Sequence, residues 1–203
     1  ATYPSRGVTE QGDRTWARLP SVRIRVVVAI ALGAAFVVWL IVRGNDDSSS
    51  SSTTVQTTTT AASAAPVAAT QATLRALADE VGQPIYWVGP RQNRTYELTR
   101  TSNGRIFIRY LPPNAEVGNR SARYTIVGTY PVKNALEVLQ ELSTQPGEKS
   151  APAPGGGLAV YSTSSPNNVY VAYPGSDVQV EVFDPSAKRA LRLVTSGRVA
   201  PVG

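Results

Sequence analysis

The order of apolar and polar positions divides the chain into three stretches. Val26 to Val42 reads VVVAIALGAAFVVWLIV, with no charge and no polar stripe. As a helix it spans about 25 Å, close to the hydrocarbon thickness of a bilayer, and Arg25 and Arg43 flank it where long basic side chains reach headgroups. The pattern predicts one transmembrane helix over residues 24–43. No small-residue cleavage site follows it promptly, so it reads as a retained anchor and not a signal peptide. From 44 to 70 the apolar rhythm disappears. Ser48 to Ser52 are all serine and Thr57 to Thr60 are all threonine. Such a segment has too little to bury to offset the entropy of ordering it, and is expected to be a disordered linker.

Beyond residue 70 periodicity returns. Leu74, Leu77, Ala78 and Val81 fall at helical spacing before Gly82 and Pro84. "IYWV" reads as a short strand. "TYELTRTSNGRIFIRYL" reads as a hairpin around Asn103-Gly104. A two-residue turn would pair Leu98 with Arg109 and mix apolar with charged positions. A three-residue loop, Ser102 to Gly104, pairs Glu97 with Arg109 and Leu98 with Ile108. This second register puts Tyr96, Leu98, Ile106, Ile108 and Tyr110 on one face, and Glu97, Thr99, Arg105, Phe107 and Arg109 on the other. It segregates better and is the one expected, with Gly104 left-handed.

"YTIVGTY" is the next strand, and Pro131 is expected to open a helix carrying Val132, Leu136, Leu139 and Leu142. Residues 146–157, "PGEKSAPAPGGG", read as a flexible break. "LAVYST", "NVYVAYP" and "VQVEVF" then alternate as strands. A last helix is expected from Asp184 as N-cap and Pro185 at its first position to near Gly197. "LTRTSNGRIFIRYLPP" resembles "YSTSSPNNVYVAYPG", and "YTIVGTYPVKNALEVL" resembles "VQVEVFDPSAKRALRL". The expected architecture is α+β, with a mostly antiparallel sheet, about three helices on one face, and an internal ββ-β-α duplication whose halves are 71–145 and 158–197. The domains are then a tail at 1–23, the anchor, the linker, and a folded domain at 71–203.

Composition narrows the chemistry. The chain has no Cys, Met or His. Disulfides, thiolate catalysis, a histidine base, and zinc, haem or iron–sulfur sites built on His or Cys are excluded. No metal site and no cofactor is expected. Arg6, Arg14, Arg18, Arg23 and Arg25 precede the anchor, whereas Arg43 alone follows it before Asp46 and Asp47. That asymmetry puts the tail in the cytoplasm and the domain outside.

No carboxylate pair, nucleophile elbow or phosphate loop is present. Glu137 and Glu141 read as a solvated helix face, and Ser186 with Lys188 is a weak motif for catalysis. The chain therefore reads as non-enzymatic. The stronger signal is basic. Arg91, Arg94, Arg100, Arg105, Arg109, Arg120 and Arg123 stand against Glu97 and Glu116 within 91–123. On the hairpin, Arg105, Phe107 and Arg109 form the candidate binding site, since Arg and aromatic side chains on an open sheet face hold polyanions.

"GQPIYWVGP" followed by "TYELTRTSNGRIFIRYLPP" resembles a stretch found in uncharacterised bacterial single-pass membrane-anchored proteins. The resemblance implies a bacterial envelope location and no activity. The expected protein is a plasma-membrane one with an extracytoplasmic domain. Its expected partners are the membrane and either a protein of a larger assembly or an anionic envelope polymer, with nucleic acid not expected. A sensor is the alternative. An inverted topology would instead make the basic domain a cytoplasmic nucleic-acid binder.

Overall fold

The computed structural model describes residues 63–203, so the tail, the anchor and residues 44–62 of the linker lie outside the described residues. No helix among the described residues is long and apolar enough to cross a membrane.

The elements run β1 (Val67–Ala69), α1 (Gln71–Val81), β2 (Tyr86–Trp87), β3 (Thr95–Arg100), β4 (Ile106–Leu111), β5 (Ile126–Pro131), α2 (Ala135–Ser143) and β6 (Glu148–Ala153). After a 3-10 turn (Pro154–Gly156) come β7 (Gly157–Ser162), β8 (Asn168–Ala172), β9 (Val178–Phe183), α3 (Ala187–Thr195) and β10 (Ala200–Pro201). Eight strands form one antiparallel sheet in the order β1-β3-β4-β5-β9-β8-β7-β6, and β2 pairs with β10 apart from it. Each half contributes four strands and then a helix. β5 lies against β9 at the centre, with Gly128 opposite Glu181.

The hairpin register is the expected one. Glu97 pairs with Arg109, Leu98 with Ile108 and Tyr96 with Tyr110, and Gly104 turns with φ 78°. Helix α1 starts where Thr70 and Thr73 cap each other reciprocally. Thr73 N–H donates to the Thr70 hydroxyl (3.1 Å) and Thr70 N–H to the Thr73 hydroxyl (2.7 Å). It ends at the left-handed Gly82. Its Leu74 and Leu77 are buried, each worth about 1.5–3 kcal/mol of burial.

Four expectations about where elements begin and end are corrected. The folded part begins before residue 71: Ser63 bridges to Thr101, and β1 pairs with β3. The span read as a break holds strand β6 and the 3-10 turn. A strand on the sheet edge tolerates Pro152, because one side of its backbone has no neighbour to bond. Pro131 ends β5, and α2 begins four residues later with Asn134 as N-cap; Pro131 and Val132 remain outside the helix. Ser186, not Asp184, caps α3. The Asp184 carboxylate instead accepts the Ser186 N–H (2.8 Å) and the Arg189 side chain (2.8 Å).

The helices do not share one face. On the front face, α1, the β2–β10 pair and α3 pack against Ile106, Ile108, Val127, Val171, Val180 and Val182. On the back face, α2 packs Ala135, Leu139 and Leu142 against Val160, Tyr170 and Ala172. The reason lies in β7 and β8, which are apolar on both faces. A strand that is greasy on both sides needs cover on both.

Candidate functional site

Alternation along β4 puts Arg105, Phe107 and Arg109 on the back face, together with Glu97 and Thr99 of β3. The sequence reading had this face open to solvent, and the structure corrects that. Phe107 is 1% exposed and Arg109 3%, while Arg105 is half-buried. The loop 112–125 folds across the face and is fastened to it. One Arg109 nitrogen lies 2.6 Å from Glu97 Oε1, and another donates to the Ser121 carbonyl at 2.8 Å. Glu97 Oε2 accepts the Gly118 N–H at 2.6 Å. The Arg109 guanidinium sits 5.5 Å from the centre of the Tyr124 ring. Glu97 and Arg109 are therefore consumed in holding a loop. Charge-assisted bonds of this kind strengthen in a low-dielectric setting.

Phe107 meets Tyr130 edge to face, with centroids 5.6 Å apart, and Arg105 lies 5.6 Å over the same tyrosine ring. A side chain at Gly128 would run into Tyr130 and Phe107, with a Cβ only 2.9 Å from the tyrosine ring. The glycine is thus required for this packing. Facing it, Glu181 is buried and accepts hydrogen bonds from the Tyr130 and Tyr170 hydroxyls, the latter at 3.3 Å. Burial pushes the Glu181 carboxyl up to about 7, against the two tyrosine hydrogen bonds and the charge of Arg105, which favour ionisation. Burial first, and then the charge of Glu181, push both phenols well above their ordinary range. A carboxyl this displaced is a functional-site signal in general. Here it lies beneath its two tyrosines, in contact with the sheet's own side chains.

Asp184 is likewise absorbed. Burial alone would raise its carboxyl. Hydrogen bonds from Arg189, Ser186 and Thr125 outweigh that and hold it below the usual carboxylate range. Ser186 and Lys188 form no catalytic pair, because the Ser186 hydroxyl accepts the Arg189 N–H as a helix cap. A groove of about 480 Å³ between α2 and the β6–β7 corner is lined by Leu136, Gln140, Ser150, Pro152 and Leu158 among others, with no titratable side chain. No group of three acidic, His or Cys residues that could hold a metal occurs among the described residues.

The surface arginines sort by the two ends of the sheet. The chain enters at the hairpin end, where Ser63 bridges to Thr101 and Ala64 N–H donates to the Arg100 carbonyl at 2.8 Å. At the opposite end lie the start of β3, the end of β4, the start of β5 and the end of β9. The connections there carry Arg91, Arg94, Arg120 and Arg123, and the first turn of α3 adds Lys188 and Arg189. Arg91 packs 5.3 Å over the Tyr110 ring, and its N–H donates to the Tyr96 hydroxyl at 2.9 Å. Thr125 donates to Asp184 at 2.8 Å and so ties the loop to the start of α3. Glu116 is the exposed acid among these connections. Sequence reasoning counted these arginines but assigned the site to the hairpin. The signal it lacked was strand order, which decides which loops meet. No family model, curated protein or solved structure matches the chain.

Proposed function

We propose that the chain is a non-enzymatic, single-pass bacterial membrane protein whose extracytoplasmic domain is held on a linker and binds a component of the envelope. The reading takes the anchor and its orientation from the charge-free run Val26 to Val42 and the arginines before it. One observation carries the functional part. The chain enters the domain at one end of the sheet, and the basic connections lie at the other, about 20 Å away along six-residue strands. A domain attached in this way offers its basic end to whatever lies beyond the bilayer surface. The internal ββ-β-α duplication belongs to the same proposal. Its support is that β3, β4, β5 and α2 in one half and β7, β8, β9 and α3 in the other follow the same order, and that the two halves meet strand to strand at β5 and β9.

The absence of native cysteine makes the topology directly measurable. Ser102→Cys, at the exposed hairpin tip, should react with a membrane-impermeant maleimide in intact cells, and Ser5→Cys should not. Labelling of Ser5→Cys alone would reverse the topology and end this reading.

A further inference from the structure

We infer that the basic end of the sheet is a docking surface for a linear, phosphate-bearing polymer of the envelope, with Arg94, Arg120 and Arg123 as its main contacts; the inference rests on the tethered-domain reading above. Three observations converge on it. Arg94 and Arg123 are exposed, and Arg120 is exposed on the same loop as Arg123, while Glu116 is the exposed acid set against them. The loop bearing Arg120 and Arg123 is fastened from beneath at Gly118 and Ser121 by the buried Glu97–Arg109 pair, so those cations project from a fixed backbone. The first turn of α3 stands at the same end and contains no acid. It carries Lys188 and Arg189 where the helix dipole already favours an anion. Arg189 pairs there with Asp184 at 2.8 Å, so Lys188 is the cation of this turn that adds to the basic surface.

Guanidinium groups pair with phosphate oxygens in a fork geometry, and several spread across the ends of neighbouring strands suit an extended polymer more than a single small anion. The chain enters at the opposite end of the sheet, so a flexible linker leaves this surface free to reach polymer beyond the bilayer.

The test uses the full chain in neutral detergent micelles, with long-chain linear inorganic polyphosphate as probe and phosphatidylglycerol-containing vesicles as the lipid comparison. Polyphosphate should bind, and binding should weaken steeply with salt. The triple variant R94A/R120A/R123A should bind about tenfold or more weakly, with a shallower salt dependence, because fewer counterions are released. R100A/K133A removes two charges at the linker end and should stay within about twofold of the unmodified chain, as expected for charges far from the ligand. Equal losses in the two variants would reduce the surface to unlocalised net charge and overturn the proposal. Preference for vesicles over polyphosphate would overturn it in favour of lipid. No binding of the unmodified chain at low salt would also overturn it. The cysteine-labelling result would stand in each of these cases, so failure here is distinct from failure of the topology.

Discussion

On the back face, the first half of the sheet is closed by a loop and a buried ion pair, and the second half by an amphipathic helix. Under α2, Leu139 and Leu142 meet Val160, Tyr170 and Ala172, and the one hydroxyl among them, on Tyr170, is bonded to Glu181. Under the loop 112–125, Glu97 and Arg109 must satisfy each other and the backbone of Gly118 and Ser121 at once. The apolar closure gains from every buried methylene and tolerates small shifts. The polar closure gains little net energy, because desolvation offsets attraction, but its bonds to Gly118 and Ser121 fix where the loop lies. One half is built for stability and the other for a defined loop shape, and the loop so defined carries Arg120 and Arg123.

The largest effect should come from breaking the polar closure on one side only. Arg109→Met leaves Glu97 charged and buried and should cost about 4 kcal/mol in denaturant unfolding of the full chain. Adding Glu97→Leu should return most of that loss, whereas a double variant as unstable as the single one would show that the pair contributes net stability. Next comes the apolar closure. Leu139→Ala, at a fully buried position, should cost about 3 kcal/mol.

The boundary between the two closures holds Glu181, and pH addresses it. Its carboxyl titrates near 7 in the fold against 4.5 ordinarily, so the folded state keeps a proton that the unfolded chain gives up. Stability should therefore fall as pH rises from about 4.5 to 7, by roughly 3 kcal/mol in total, and level off above that. Glu181→Gln should remove this slope; a slope unchanged in that variant would assign it to another group. Asp184 acts in the opposite sense. Held below its ordinary range, it stabilises the fold at neutral pH, and that contribution is lost as pH falls through its lowered value. The smallest effect is expected at the exposed Arg100–Glu80 pair, where Arg100→Ala should shift stability by no more than about 0.5 kcal/mol.

The legible parts of the fold were those with a local period. The hairpin register followed from segregating faces, and Gly104 followed from the turn that register required. The three helices were visible in Leu74 and Leu77, in Leu139 and Leu142, and in the stretch after Pro185. Strand β6 was hidden, because Glu148–Ala153 carries no alternation and pairs only with β7 along the edge. Strand β10 was hidden for a similar reason, since two residues against Trp87 and Tyr86 leave no pattern. The candidate site was legible in its composition and misread in its exposure. Arg105, Phe107 and Arg109 do share a face, but a charged residue on an alternating strand reads as solvated unless its partner is noticed. Glu97 directly opposite Arg109 was that partner, and the aperiodic loop that seals them gives no signal in a window of sequence.

The short β1 strand gives the domain a mechanical character. The chain arrives at Ser63 beside the hairpin tip, and β1 runs from there along the edge of β3 toward the basic end. If the basic end is held and force is applied through the chain before Ser63, the load runs parallel to β1. The hydrogen bonds between β1 and β3 lie across that direction, so they share the force together and do not open one after another. A linker joined to the opposite end of the same strand would unzip it bond by bond. Entry at the hairpin end makes three residues of edge strand a shear joint between the incoming chain and the core.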